Sequence, residues 1–231
     1  MRHRPNALMI FAAGFGTRMG ALTANTPKPL IAVAGKPLID HTINLANECC
    51  LDPILANLHY LPDQLEVHLH AQGVKTIREE LEILETGGGL KNALPLLGDN
   101  AFITSNSDAI WKGPNPFQMA IDAWNPSRMD ALLVCIPIGQ CVGYKGQGDF
   151  ILAKDGRLTY GPDDLVFGGI QVMKPELLEG FSQTKFSLRD VWIDNQDAGR
   201  IHGISYPGQW CDVGHPAGID LAEALLRGDD V

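Results

Sequence analysis

Apolar positions in the first half of the chain follow two alternating periods. Ala7 to Ala12 is an unbroken apolar run, the pattern of a strand buried on both faces of a parallel sheet. Leu38, Ile39, Thr42, Ile43 and Leu45 then recur at helical spacing, which predicts a helix from about Pro37 to Cys49. "PILANLH" reads as a second strand and "PDQLEVHLHAQ" as a helix opened by proline and aspartate. "VKTIREE" reads as a third strand, and "GGGLKNALPLLG" as a helix that begins on its glycines. "AFITSNSD" is a fourth strand that runs into polar residues. This alternation predicts an α/β fold with a doubly wound, mostly parallel Rossmann-like sheet.

The second half is mixed. "DALLVCIPI", "GDFILAKDGRLTY" and "DLVFGGIQVM" predict strands, the middle one folded into a hairpin at Asp155-Gly156. A helix at "SLRDVWIDNQ", a strand at "RIHGISY" and a closing helix from Pro216 to Leu226 follow. "TPKPLIAVAGKPLID" reads as loop. No repeat, low-complexity tract or linker divides the chain, so residues 1–231 are expected to form a single domain.

Composition narrows the class. A chain of 231 residues with 45% hydrophobic residues can bury a large core, which argues against wholesale disorder. A formal net charge of -9 argues against broad binding to nucleic acid. The five cysteines (Cys49, Cys50, Cys135, Cys141 and Cys211) are odd in number and lack metal-type spacing, so reduced thiols are expected. "MRHRPNALMIFAAG" has the basic start and apolar run of a weak signal peptide. The run is too short for a membrane span and feeds a glycine turn, so it reads as a strand of a cytoplasmic protein with no membrane partner.

That turn, "AAGFGTRMG", is where chemistry begins. A dinucleotide fingerprint needs G-x-G-x-x-G; Gly14 and Gly16 fit, but Met19 holds the third place. No acidic residue closes the second strand, and no G-x-x-x-x-G-K-[ST] loop occurs. What remains is a turn with a cation inside it, Gly16-Thr17-Arg18. Glycines admit phosphate oxygens to backbone amides, and an arginine can clamp them with two bonds. Lys28 follows between Pro27 and Pro29, a positioned charge. An ordinary βα turn with a solvated Arg and Lys is the competing reading. His68 and His70, two apart on a predicted helix, point to different faces and read as a solvated pair rather than a metal site.

"AAGFGTRM…TPKPLIAVAGKPLI" resembles the signature of the sugar-1-phosphate nucleotidyltransferases, and the likeness continues at "LETGGGLKNAL", "NSD" and "WCDVGHP". The "LETGGG" and "GDF" segments are most similar to those of the N-acetylmuramic acid 1-phosphate uridylyltransferase type. The resemblance implies transfer of a nucleotidyl group from an NTP, with UTP favoured, to a sugar 1-phosphate, N-acetylmuramic acid 1-phosphate favoured. It implies Mg²⁺ held by Asp108 and Asp212, with Arg18, Lys28 and Asp108 as catalytic residues. It implies a nucleotide site of Ala12, Ala13, Gly14, Gly16, Thr17, Arg18, Glu80, Gly87 and Gly88, with Glu79 an alternative to Glu80. The sugar site would comprise Glu85, Gly148, Asp149 and Gly169, and Lys145 or Lys185 would stand in for the family's sugar-phosphate lysine. Ser107 and His215 depart from the family pattern without removing a ligand. Mannose 1-phosphate guanylyl transfer and glucose 1-phosphate thymidylyl or uridylyl transfer stay open, and the assembly is expected to be a monomer or small homo-oligomer. From other classes, a glycosyltransferase would want a second acid near Asp108, and a nucleotide-sugar sensor would dispense with Arg18, Lys28, Asp108 or Asp212.

Overall fold

The computed structural model describes residues 4–229; Met1 to His3, the first part of the signal-like segment, lie outside them. The chain runs β1 (Leu8–Phe11), β2 (Ala32–Val33), β3 (Lys36–Pro37), α1 (Leu38–Glu48), β4 (Ile54–Leu58), α2 (Pro62–His70), β5 (Lys75–Arg78), α3 (Glu85–Leu97) and β6 (Phe102–Asn106). It continues with β7 (Ala109–Lys112), α4 (Pro116–Ala123), β8 (Ala131–Pro137), β9 (Cys141–Val142), β10 (Phe150–Leu152), β11 (Leu158–Tyr160) and β12 (Leu165–Met173). The last elements are α5 (Leu188–Asn195), β13 (Ile201–Ser205), β14 (Gln209–Asp212) and α6 (Ala217–Arg227).

The parallel half is ordered β5-β4-β1-β6, with β1 at its centre, flanked by β4 and β6. Side chains of β1 alternate as a strand requires. Leu8 and Ile10 pack with Ile39 and Ile43 of α1, Leu65 and Leu69 of α2, and Phe117 of α4. Met9 faces the opposite layer, where Leu90 and Ala93 of α3 meet Val191 and Trp192 of α5. The sheet is therefore covered by helices on both faces. Beyond β6 it becomes mixed: β12 runs antiparallel to β6 and β8, while β13 runs parallel to β8. The β10–β11 hairpin attaches to β12 and turns around Asp155-Gly156.

A second, three-stranded sheet, β7-β14-β9, lies beside a third cluster of Met19, Ile110, Val213 and Leu225. Neither β7 nor β14 belongs to the predicted elements, and this sheet is what assembles the site. α3 starts at Glu85, two residues before the predicted glycine start. All five cysteines are free. No helix among the described residues is long and apolar enough to cross a membrane.

Candidate active site

The first strand delivers the glycine turn. Ala12 and Ala13 are buried, and the Ala12 amide donates to Asn57 Oδ1 at 2.8 Å, which pins the root of the turn to β4. Gly16 takes a left-handed φ of 65°. A Cβ there would sit 2.9 Å from both Lys28 Cβ and Thr23 Cγ2, so only glycine lets the turn close over the lysine stem. Lys28 is 8% exposed, held by the turn above it, and its ammonium lies 2.5 Å from Asp108 Oδ2.

Asp108 stands between β6 and β7, at the carboxyl end of the central sheet, where open α/β sheets bind ligands. Antiparallel pairing sets Asp212 of β14 opposite Ala109 of β7, and the Val213 amide donates to the Asp108 carbonyl at 2.9 Å. Two acids far apart in sequence are thus neighbours. Gly214 completes the group. A Cβ on it would lie 2.7 Å from Asp212 Oδ2 and 2.9 Å from Arg18 Nη1, so the carboxylate and the guanidinium converge on a backbone that must be bare. Burial and then the charge of Asp108 push the Asp212 carboxyl above its usual range, while Lys28, Arg18 and His215 pull against the shift. Asp212 accepts no side-chain hydrogen bond among the described residues.

Arg18, Lys28, Asp108 and Gly214 line one cleft of three adjoining lobes, of about 210, 240 and 210 Å³, whereas Asp212 lines none of the three. Phe11 lines all three. The first lobe holds Gly14, Gly16, Thr17, Arg18, Lys28 and Asp108. The second lies between Ala13, Asn57, Ile83, Glu85 and Asn106. The third is walled by Tyr160, Phe167 and Trp192, with Thr86, Asp149 and Arg189. No group of three or more His, Cys, Asp or Glu gathers among the described residues. Two neighbouring carboxylates beside a glycine turn offer the hard oxygen donors that Mg²⁺ takes along with phosphates and water, rather than an all-protein zinc cage.

Residues 8–161 match the MobA-like NTP transferase domain. Over 98% of its length the chain is 35% identical to N-acetylmuramate alpha-1-phosphate uridylyltransferase of Caulobacter vibrioides, of which the match covers 99%. The chain belongs to the MobA-like NTP transferase family. It is a sugar-1-phosphate nucleotidyltransferase. It is also 32% identical to the N-acetylmuramate alpha-1-phosphate uridylyltransferase of Neisseria meningitidis serogroup B, over 94% of this chain and 96% of that one. HddC from Yersinia pseudotuberculosis, solved in complex with GMP-PN, shares the fold, with a TM-score of 0.79 at 19% identity over 96% of this chain and 99% of that one.

Several expected residues of this transferase sit elsewhere than the sequence suggests. Gly87 and Gly88 offer no free amides to a base, because both N–H groups donate to Phe186 O, at 2.9 and 3.1 Å. A Cβ on Gly88 would strike the Thr184 carbonyl, so these glycines seat the 184–186 segment against α3. Glu80 is exposed and lines none of the three lobes. Glu79 is buried, accepting from Asn57 Nδ2 at 2.7 Å and the Leu84 amide at 2.8 Å; it braces the second lobe. Gly148 and Gly169 act through the backbone. Gly148 passes against the Asp163 carbonyl, and Gly169 (φ 94°) lets the β12 bulge press on Asn106. Asp149 lines the third lobe, while Glu85, expected beside it at the sugar, lines the second. Lys185 pairs with Glu82 at 3.2 Å, Lys145 is exposed, and neither lines a lobe. His68 bonds Asp40 and His70 bonds Thr76, so the two histidines do not share a site.

Asn57, Asn106 and Arg189 were not singled out by the sequence. Asn106 lies two residues before Asp108 in the polar run that ends β6, where nothing local separates it from its polar neighbours. Asn57 is the polar residue inside the otherwise apolar β4, which was the available signal for it.

Proposed function

We propose that this transferase joins UTP and N-acetylmuramic acid 1-phosphate to give UDP-N-acetylmuramic acid and pyrophosphate, as a one-domain cytoplasmic enzyme that is a monomer or small homo-oligomer. The observation that carries the choice of substrates is the 35% identity to the Caulobacter enzyme across nearly all of both chains.

A sugar-phosphate oxygen attacks the α-phosphorus of UTP, a new P–O bond forms in line with the bond that breaks, and pyrophosphate departs with that electron pair. The attacking oxygen is already ionised, so no general base is required. What limits the reaction is repulsion between two anions, and preorganised positive charge supplies most of the remedy. Open amides around Gly14 and Thr17 and the exposed Arg18 guanidinium would hold the β- and γ-phosphates. Lys28, fixed by the turn, would face the α-phosphate from beside Asp108. Bound Mg²⁺, held by Asp108 and Asp212, would supply further neutralisation of phosphate charge. Ala13, Asn57 and Glu85 would receive the base in the second lobe, and the third lobe would take the sugar.

The test is a matrix of UTP, GTP, dTTP and CTP against the 1-phosphates of N-acetylmuramic acid, N-acetylglucosamine, glucose and mannose, with pyrophosphate release measured in Mg²⁺. UTP with N-acetylmuramic acid 1-phosphate should give the highest kcat/KM. A pair containing GTP or dTTP that turned over ten times better would reassign the substrates within the family.

A further inference from the structure

The third lobe of the cleft is a rigid box with one uncommitted cation. Trp192 Nε1 donates to Gln171 Oε1 at 3.0 Å, which fixes the indole, and Phe167 meets that indole edge to face at 4.8 Å between centroids. Asp149 Oδ2 accepts from the Phe167 amide at 2.9 Å, and Thr86 Oγ1 accepts from the Leu188 amide at 3.0 Å. Arg189, in the first turn of α5, lines this box with its guanidinium 5.9 Å from the centroid of the Tyr160 ring. Arg78, Arg157, Arg200 and Arg227 each pair with a carboxylate, whereas Arg189 forms no ion pair and donates no side-chain hydrogen bond among the described residues. Its acidic neighbour Asp190 is taken by the capping box with Ser187.

We propose that Arg189 is a specificity-determining residue that reads the carboxylate of an acidic sugar, here the lactyl carboxylate of N-acetylmuramic acid. The inference rests on the substrate reading above. The sugar's phosphate must lie near Asp108, which lines the first two lobes and not the third. The sugar ring then extends past Phe11 and Asn106 into the aromatic box, and Arg189 meets the groups it carries away from the phosphate. A guanidinium resting on an aromatic ring keeps its fork free for a bidentate carboxylate. Asp149, the other charged group lining the box, suits hydroxyl and amide donors of the same sugar and repels a carboxylate. Without Arg189 the box would be net negative and would reject an acidic sugar.

Equilibrium binding of UDP-N-acetylmuramic acid and UDP-N-acetylglucosamine, which differ by the lactyl ether, tests this in the wild-type protein, Arg189→Gln and Arg189→Lys. A charge-assisted contact of this kind is worth roughly 10- to 100-fold. The wild type should prefer the lactyl-bearing nucleotide sugar by about that factor, R189Q should lose the preference, and R189K should recover part of it. If R189Q weakens both nucleotide sugars equally, Arg189 grips the diphosphate, and if it weakens neither, Arg189 touches no ligand; either result overturns the proposal. A wild-type protein that binds UDP-sugars without preferring the lactyl group overturns it as well, while leaving uridylyl transfer standing. Failure to bind any UDP-sugar would instead remove the substrate reading itself.

Discussion

Replacing Asn57 by alanine should cost more stability than any surface change near the cleft. Asn57 is 3% exposed and joins three segments: the Ala12 amide bonds its Oδ1 at 2.8 Å, and its Nδ2 bonds Glu79 Oε1 at 2.7 Å. Alanine leaves a buried N–H and a buried carboxylate oxygen unpaired. Each orphaned group costs about 1–3 kcal/mol, the charged one at the upper end, so the loss is about 3–5 kcal/mol. In a chain of this size that lowers Tm by roughly 10 °C. Asn57→Asp keeps the shape and places a second carboxylate against Glu79. The pair then binds a proton more tightly in the folded state than in the unfolded one, so its folded pKa is raised. Stability is retained at acid pH and lost as pH rises. Thermal melts of N57A and N57D between pH 4 and 8 distinguish the two: the alanine loss eases toward acid pH, where a carboxylate without its donor can take a proton, but persists through the orphaned Ala12 amide, whereas the aspartate loss grows much more steeply with pH. An N57A melt within about 1 kcal/mol of wild type would mean that Asn57 does not tie the glycine turn to Glu79, as would an N57D deficit independent of pH.

Arg18→Ala should lower kcat/KM by on the order of a hundredfold, the usual effect of losing one preorganised donor, and leave Tm nearly unchanged because Arg18 is exposed. Lys28→Met, which keeps the buried stem, should lose turnover to a similar degree; paired urea titrations and pyrophosphate-release kinetics check both. The raised Asp212 pKa has a definite sign: the folded protein holds that proton to higher pH than the unfolded chain, so its contribution is present at acid pH and lost as pH rises through the folded value. Asp212→Asn should therefore gain stability over wild type as pH increases in Mg²⁺-free buffer, seen as a rising difference in urea midpoint.

The doubly wound half of the fold was legible because its signals are local. The apolar run of β1, the helical spacing of α1 and the proline and aspartate that open α2 each lie within one short window. The β7–β14 pairing is not local. "AIWK" and "QWCD" are short, carry polar ends, and acquire strand character only from each other across the chain. α4 was missed although Asn115 at its N-cap and Pro116 after it form a clear start signal, because the helix is short and follows a turn. Arg18, Lys28, Asp108 and Asp212 were legible as residues through their motif, but their convergence depends on β7 and β14. The packing role of Gly87 and Gly88 was not legible because glycine marks close approach without naming what approaches. At Gly88 the group that approaches is the Thr184 carbonyl.

In the proposed transfer, Asp108 and Asp212 serve one metal and phosphate assembly. Turnover of Asp108→Asn, Asp212→Asn and the double variant, followed across a Mg²⁺ titration, tests it most directly. Each single change should sharply reduce Mg²⁺-dependent pyrophosphate release, excess Mg²⁺ should restore part of the activity, and the double variant should fall little below the worse single one. Losses that multiply and ignore Mg²⁺ would mean that the two aspartates do not share a site, and would contradict the transfer mechanism drawn from their pairing.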